Sequence, residues 1–110
     1  MDYLKEINAA VTICDRQGKI VYMNKKSEQV FKSDGGKELI GKNLFDCHPE
    51  PSRTLLREMY AAPRSNSYTV SKKGVKKFIH QAPWYKEGVF AGYVEWSIVI
   101  PENMPHHNRT

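Results

Sequence analysis

The sequence predicts an α+β domain in which two strands, a run of short helices and three further strands follow one another. Three observations carry this reading. Apolar residues alternate in residues 10–24 and again from residue 66 onward, they fall at helical spacing in between, and glycine-bearing polar turns separate the strand-like runs.

In chain order, "YLKEINAA" sets Tyr3, Leu4 and Ile7 at helical spacing, which predicts a short amphipathic helix over residues 1–8. It is too short to stand without packing. "AVTICDRQGKIVYMN" reads as a hairpin, with Val11, Ile13, Ile20 and Val21 as strand formers around a polar turn that ends in Gly18. Asn24 is placed to cap the helix "KKSEQVF", whose Val30 and Phe31 face the core. "KSDGGKELIGKN" holds too many glycines for a long element and predicts short turns. Pro49 and Pro51 then set a bend before "SRTLLREMYAA", a helix of about three turns with Leu55, Leu56, Met59 and Tyr60 on one stripe and Ser52 as its expected cap. "NSYTVS", "VKKFIHQAPWY" and "VFAGYVEWSIVI" close the domain as three strands joined by "KKG" and "KEG", turns suited to hairpins. The expected organisation is a helix at 1–8, a domain at 9–101 and a tail at 102–110.

A chain of 110 residues suits one domain with a single core. Charges in "MDYLKEINAA" oppose a secretory signal, and no stretch approaches about 18 apolar residues, so a soluble, cytoplasmic protein without membrane contact is expected. Seventeen Lys and Arg against 12 Asp and Glu give a net charge of +5, but the basic pairs are scattered and no nucleic-acid motif accompanies them. Direct nucleic-acid binding is not expected. Cys14 and Cys47 are far apart and form no C-x-x-C pair, so free thiols are expected and no structural metal site.

The order and the residues together resemble the PAS domain family across residues 9–100. The resembling segments are "DRQGKIVYMN", an Asp-x-x-Gly hairpin leading to Asn24; "LIGKNLFD"; and the closing strands with Gly92 at the family's usual glycine. "CHPEPS" is similar to a Cys-His-Pro segment found in a subgroup of bacterial PAS domains. The resemblance implies a five-stranded antiparallel sheet in order 2-1-5-4-3 with short helices over one face enclosing a pocket. It also implies signalling instead of catalysis.

Aligning the last two strands by Pro83 and Gly92 assigns their faces by the period of two. Alone, this alternation would make the more apolar set the core; with the family's frame, Lys77, Ile79, Gln81, Tyr93, Glu95 and Ser97 point under the helices. Phe78, His80, Ala82, Trp84, Phe90, Val94, Trp96 and Ile98 then point outward. Such an apolar outer face calls for cover, and the expected cover is the N-terminal helix, through Leu4 and Ile7, and a second copy of the chain. The expected homodimer interface is Phe78, Trp84, Val94, Trp96 and Ile98 with Leu4 and Ile7. Glu95 under the helices must be paired, protonated or bound to a ligand. The expected ligand site is Glu95, Gln81, Tyr93, Ser97, Lys77, Ile79 and His48, holding a small polar or acidic molecule.

Other chemistries are weighed against these residues. "GKNLFDC" resembles the approach to the chromophore-bearing cysteine of photoactive yellow protein, but Met23 and Ser27 stand where that protein holds its phenolate. Flavin photoreceptors of the LOV type need cysteine where this chain has Leu44, so neither a thiol-linked chromophore nor a flavin is expected. Haem remains as an alternative through His48 or His80, although "SRTLLREMYAA" contains no histidine. Cys47 and His48 are sequence neighbours whose side chains diverge, so no catalytic set is expected. The functional expectation is a PAS sensor that binds a small molecule or dimerises and acts on a signalling partner in trans, in signal transduction or regulation of transcription; a ligand-free interaction module is the rival.

Overall fold

In the computed structural model, which describes residues 1–110, one antiparallel sheet contains strands β1 (Ala10–Asp15), β2 (Ile20–Met23), β3 (Asn66–Lys72), β4 (Val75–Lys86) and β5 (Val89–Val99) in the order 2-1-5-4-3. That is the predicted architecture. Helices α1 (Lys25–Val30), α2 (Leu44–Cys47) and α3 (Ser52–Ala61), with 3-10 turns at Lys32–Asp34 and Gly36–Leu39, all fall between β2 and β3 in sequence. No helix is long and apolar enough to cross a membrane.

Both late hairpins close on two residues with positive φ, Lys73 and Gly74 at 52° and 78°, and Glu87 and Gly88 at 52° and 80°. Such turns match the right-handed twist of the flanking strands and fix their register. Along β4 and β5 the register then slips by one: Tyr85 opposes Phe90, whereas Trp84 opposes Gly92, leaving Ala91 as the bulged residue. Beyond the bulge, Gln81 opposes Glu95 and Ile79 opposes Ser97. Phe90, on the near side, is a correction to the expected alternation. The slip turns it inward, where it packs against the buried Cys14, Met59 and Tyr93 and meets Tyr60 edge-on at 5.7 Å.

Gly92 is irreplaceable here. Its φ is 140°, and a Cβ at this position would lie 1.9 Å from the Cys14 carbonyl oxygen. The same carbonyl accepts the Trp84 indole N–H at 3.0 Å.

The N-terminal helix expected over residues 1–8 does not form; residues 3–6 make turns. The Leu4 N–H donates to Asp2 Oδ1, and the Leu4 and Lys5 carbonyls accept from Asn24 Nδ2 and the Lys25 N–H. Those carbonyls are therefore taken by the start of α1 and not by a helical turn of their own. Asn24 caps α1 as expected, accepting from the Ser27 N–H at 3.0 Å. Ser52 does not cap α3. Glu50 does so instead, its carboxylate accepting from the Thr54 N–H and hydroxyl at 2.9 and 2.7 Å, which holds its pKa below the usual carboxylate value.

On the outer face, Val11 opposes Trp96 and is fully buried, so part of this surface is covered. Leu4, Ile7, Trp84, Val94 and Trp96 are half-buried. Phe78 and Ile98 keep 36% and 38% of their surface exposed. Phe78 stacks on His80 with ring centroids 5.9 Å apart.

Candidate functional site

Registered strands lay inner-face residues into rows across the sheet. In one row Cys14 on β1 opposes Tyr93 on β5, which opposes Pro83 on β4. The next row, two residues along each strand, is Thr12, Glu95, Gln81 and Asn66.

The first row is closed over by helix α3. Tyr60 packs with Phe45, Phe90 and Tyr93 at centroid separations of 5.2, 5.7 and 5.3 Å. Its hydroxyl lies 3.0 Å from the Asp15 carbonyl, to which it donates, and 2.8 Å from the Cys14 thiol, which also faces the Tyr93 carbonyl at 3.6 Å. Burial pushes the Cys14 thiol and the Tyr60 phenol above their ordinary pKa values. A protonated, hydrogen-bonded thiol of this kind is a core group and no nucleophile.

Over the second row, and reaching Cys14 and Tyr93 at the edge of the first, lies a cavity of about 1010 Å³. Phe31, Leu39, Leu44, Leu56 and Met59 supply apolar walls. The floor is polar and ordered: Asn66 Nδ2 donates to Gln81 Oε1 at 3.0 Å, and Gln81 Nε2 donates to Glu95 Oε2 at 2.8 Å. The amide chain thus runs in one direction and ends on a carboxylate. Thr12 Oγ1, in the same row, bonds Ser27 Oγ at 2.5 Å. Glu95 takes part in neither of the two ion pairs of the molecule. Burial and then the Glu95 charge push the Tyr68 phenol up in pKa.

Of the expected ligand residues, Glu95, Gln81, Tyr93 and His48 line this cavity. The Tyr93 hydroxyl is already occupied, donating to the Met59 carbonyl and accepting from the Arg64 N–H at 3.2 Å. Lys77, Ile79 and Ser97 share the inner face but do not line the cavity. In the row Tyr68, Ile79, Ser97 and Ala10 only Tyr68 reaches it, and Ile79 and Ala10 are buried.

His48 lies after α2, with Nδ1 2.8 Å from the Leu44 carbonyl. Facing an oxygen, that nitrogen donates, and in the neutral ring Nε2 keeps its lone pair. No side-chain hydrogen bond joins His48 to the exposed Cys47, and no three His, Cys, Asp or Glu side chains converge as a metal site.

Asn66, Tyr68 and Asp34 line the cavity without having been anticipated. Counting back from the Lys73-Gly74 turn places Asn66 opposite Gln81 and Tyr68 opposite Ile79, so the "KKG" turn held the signal for two of them. Asp34 ends a three-residue 3-10 turn, too short for any periodicity to foretell.

A family model described as "PAS fold" matches residues 4–62, more than half of the chain. Comparison with curated protein sequences gives no match. Among solved structures, a C-terminal domain from Streptococcus mutans superposes with a TM-score of 0.70 at 18% identity, covering 87% of this chain and 78% of the other. The PAS domain of the histidine kinase ThkA gives 0.64 at 18%, covering 84% and 99%. The Aer2 receptor from Vibrio cholerae, a dual PAS-heme oxygen sensor, gives 0.63 at 16%, covering 84% and 95%.

Proposed function

Because this chain belongs to the PAS family, we propose that it is a sensory domain that takes a small molecule into the cavity between sheet and helices. The cavity itself carries the reading. Its volume lies at the upper end of the range for small-molecule sites, about 300–1,000 Å³, and its apolar walls converge on one polar row, the usual build of a ligand pocket. Glu95, Gln81 and His48 are the ligand contacts of this proposal, with Asn66 and Tyr68 added. Binding shifts the population between arrangements of helices and sheet, and the changed surface acts on a signalling partner in trans. Homodimerisation through the outer face belongs to the same proposal, since Phe78 and Ile98 stand in the open beside Trp84, Val94 and Trp96. Regulation of transcription is one process such a domain would serve.

Native mass and visible absorption of protein purified from its own host test the cavity reading. An added mass of a few hundred daltons is expected; an apo mass together with no thermal shift across a metabolite panel favours a ligand-free interaction module. Haem is a second reading, favoured by the free His48 Nε2 at the cavity wall, and a Soret band would establish it. Light scattering at micromolar concentration tests the dimer, and a monomer there overturns it.

A further inference from the structure

The ligand chemistry can be narrowed, on the premise that the cavity is a ligand site. The chain carries 17 Lys and Arg, yet none of them lines the cavity, whereas two of its 12 acidic residues do. Glu95 stands in the floor and Asp34, exposed, in the helical wall. Glu95 has no cationic partner in the protein. Its one side-chain hydrogen bond engages Oε2, from the Gln81 amide, and Oε1 is without a donor.

We propose that the cavity selects a cationic ligand, an apolar body bearing a primary ammonium group that donates to Glu95. A carboxylate half withdrawn from water is stabilised by a charge-assisted hydrogen bond from such a group. An acidic ligand would place like charge beside Glu95 with no lysine or arginine in the cavity to offset it. The small acidic ligand expected from the sequence is thereby disfavoured. The Gln81 amide holds the carboxylate in place, and Asn66 holds the amide in turn, so the acceptor is positioned before the ligand arrives. Asp34 adds a second negative charge to the cavity lining, which attracts a cation further.

Calorimetric titration at pH 7 with the amine, alcohol and carboxylate forms of two apolar bodies, phenylethyl and n-hexyl, tests this. In the wild-type protein the amine of at least one body binds about tenfold or more tighter than its alcohol, and the carboxylate does not saturate. Glu95→Gln abolishes the amine's advantage over the alcohol. A carboxylate that binds as tightly as the amine, or an amine whose affinity survives Glu95→Gln, overturns the assignment while leaving the cavity as a ligand site. Absence of saturable binding by all six probes, with an apo mass from the native host, overturns the ligand site itself. The wild-type comparison of head groups holds even if the variant fails to fold.

Discussion

The row of Cys14, Tyr93 and Pro83 and the row of Thr12, Glu95, Gln81 and Asn66 lie about 7 Å apart on the same face of the same strands. In the first, Tyr60, Phe90 and Phe45 fill the space, and the thiol and both phenols find partners inside the protein. The second has a comparable backbone and the opposite outcome: its amides line up toward Glu95, and the space above is a cavity. One row is complete by itself, and the other is arranged to be completed. The bulge at Ala91 makes the difference, because it sends Phe90 inward at one end and sets Glu95 opposite Gln81 at the other.

Substitutions that distinguish the rows should range from loss of the fold to silence. Gly92→Ala forces a Cβ into the Cys14 carbonyl, and a loss of more than about 3 kcal/mol is expected, with Tm falling by more than about 10 °C in thermal unfolding. A Tm within a few degrees of wild type would mean that the strands separate there more easily than the geometry states. Tyr93→Phe leaves the Met59 carbonyl and the Arg64 N–H without their partner, at a cost of about 2 kcal/mol in urea unfolding.

Alkali should weaken the complete row further. Burial raises the Cys14 pKa above 9.0, its value in the unfolded chain, so its contribution is fully present below pH 9.0 and is lost as pH rises from there through the folded value. Urea unfolding between pH 8 and 10 should show falling stability, and Cys14→Ala should flatten that slope; an unchanged slope would remove the thiol from the account.

At the other row, Glu95→Gln should alter stability by no more than about 0.5 kcal/mol, since Gln81 Nε2 still meets an oxygen. A loss as large as that of Tyr93→Phe would make Glu95 a structural group and erase the contrast between the rows. Cys47→Ala, at an exposed position, should be silent in the same assay.

Much of this was legible in the sequence. Strand order followed from the family segments, and Gln81 and Glu95 fell on one face by alternation, but their pairing did not follow, since it is the bulge at Ala91 that brings Gln81 opposite Glu95. Counting from the "KEG" turn alone would have paired Gln81 with Val94. Phe90 was misread for the same reason, because an alternation carried straight across Ala91 reverses its face. The N-terminal helix failed because hydrogen bonds to Asn24 and Lys25, both distant in sequence, outbid local spacing. Asp34 was invisible because a three-residue 3-10 turn is placed only by what surrounds it.

Asn24, 1% exposed, has a consequence larger than capping. Its amide accepts from the Val11 and Ser27 N–H groups and donates to the Leu4 and Ala9 carbonyls. Four attachments in one plane leave the group no free rotation, so kinematically it is a locked joint among three segments. Helix α1, the first strand and the N-terminal turn are thereby tied to a single side chain, so a displacement of α1 pulls on residues 4–9 through it.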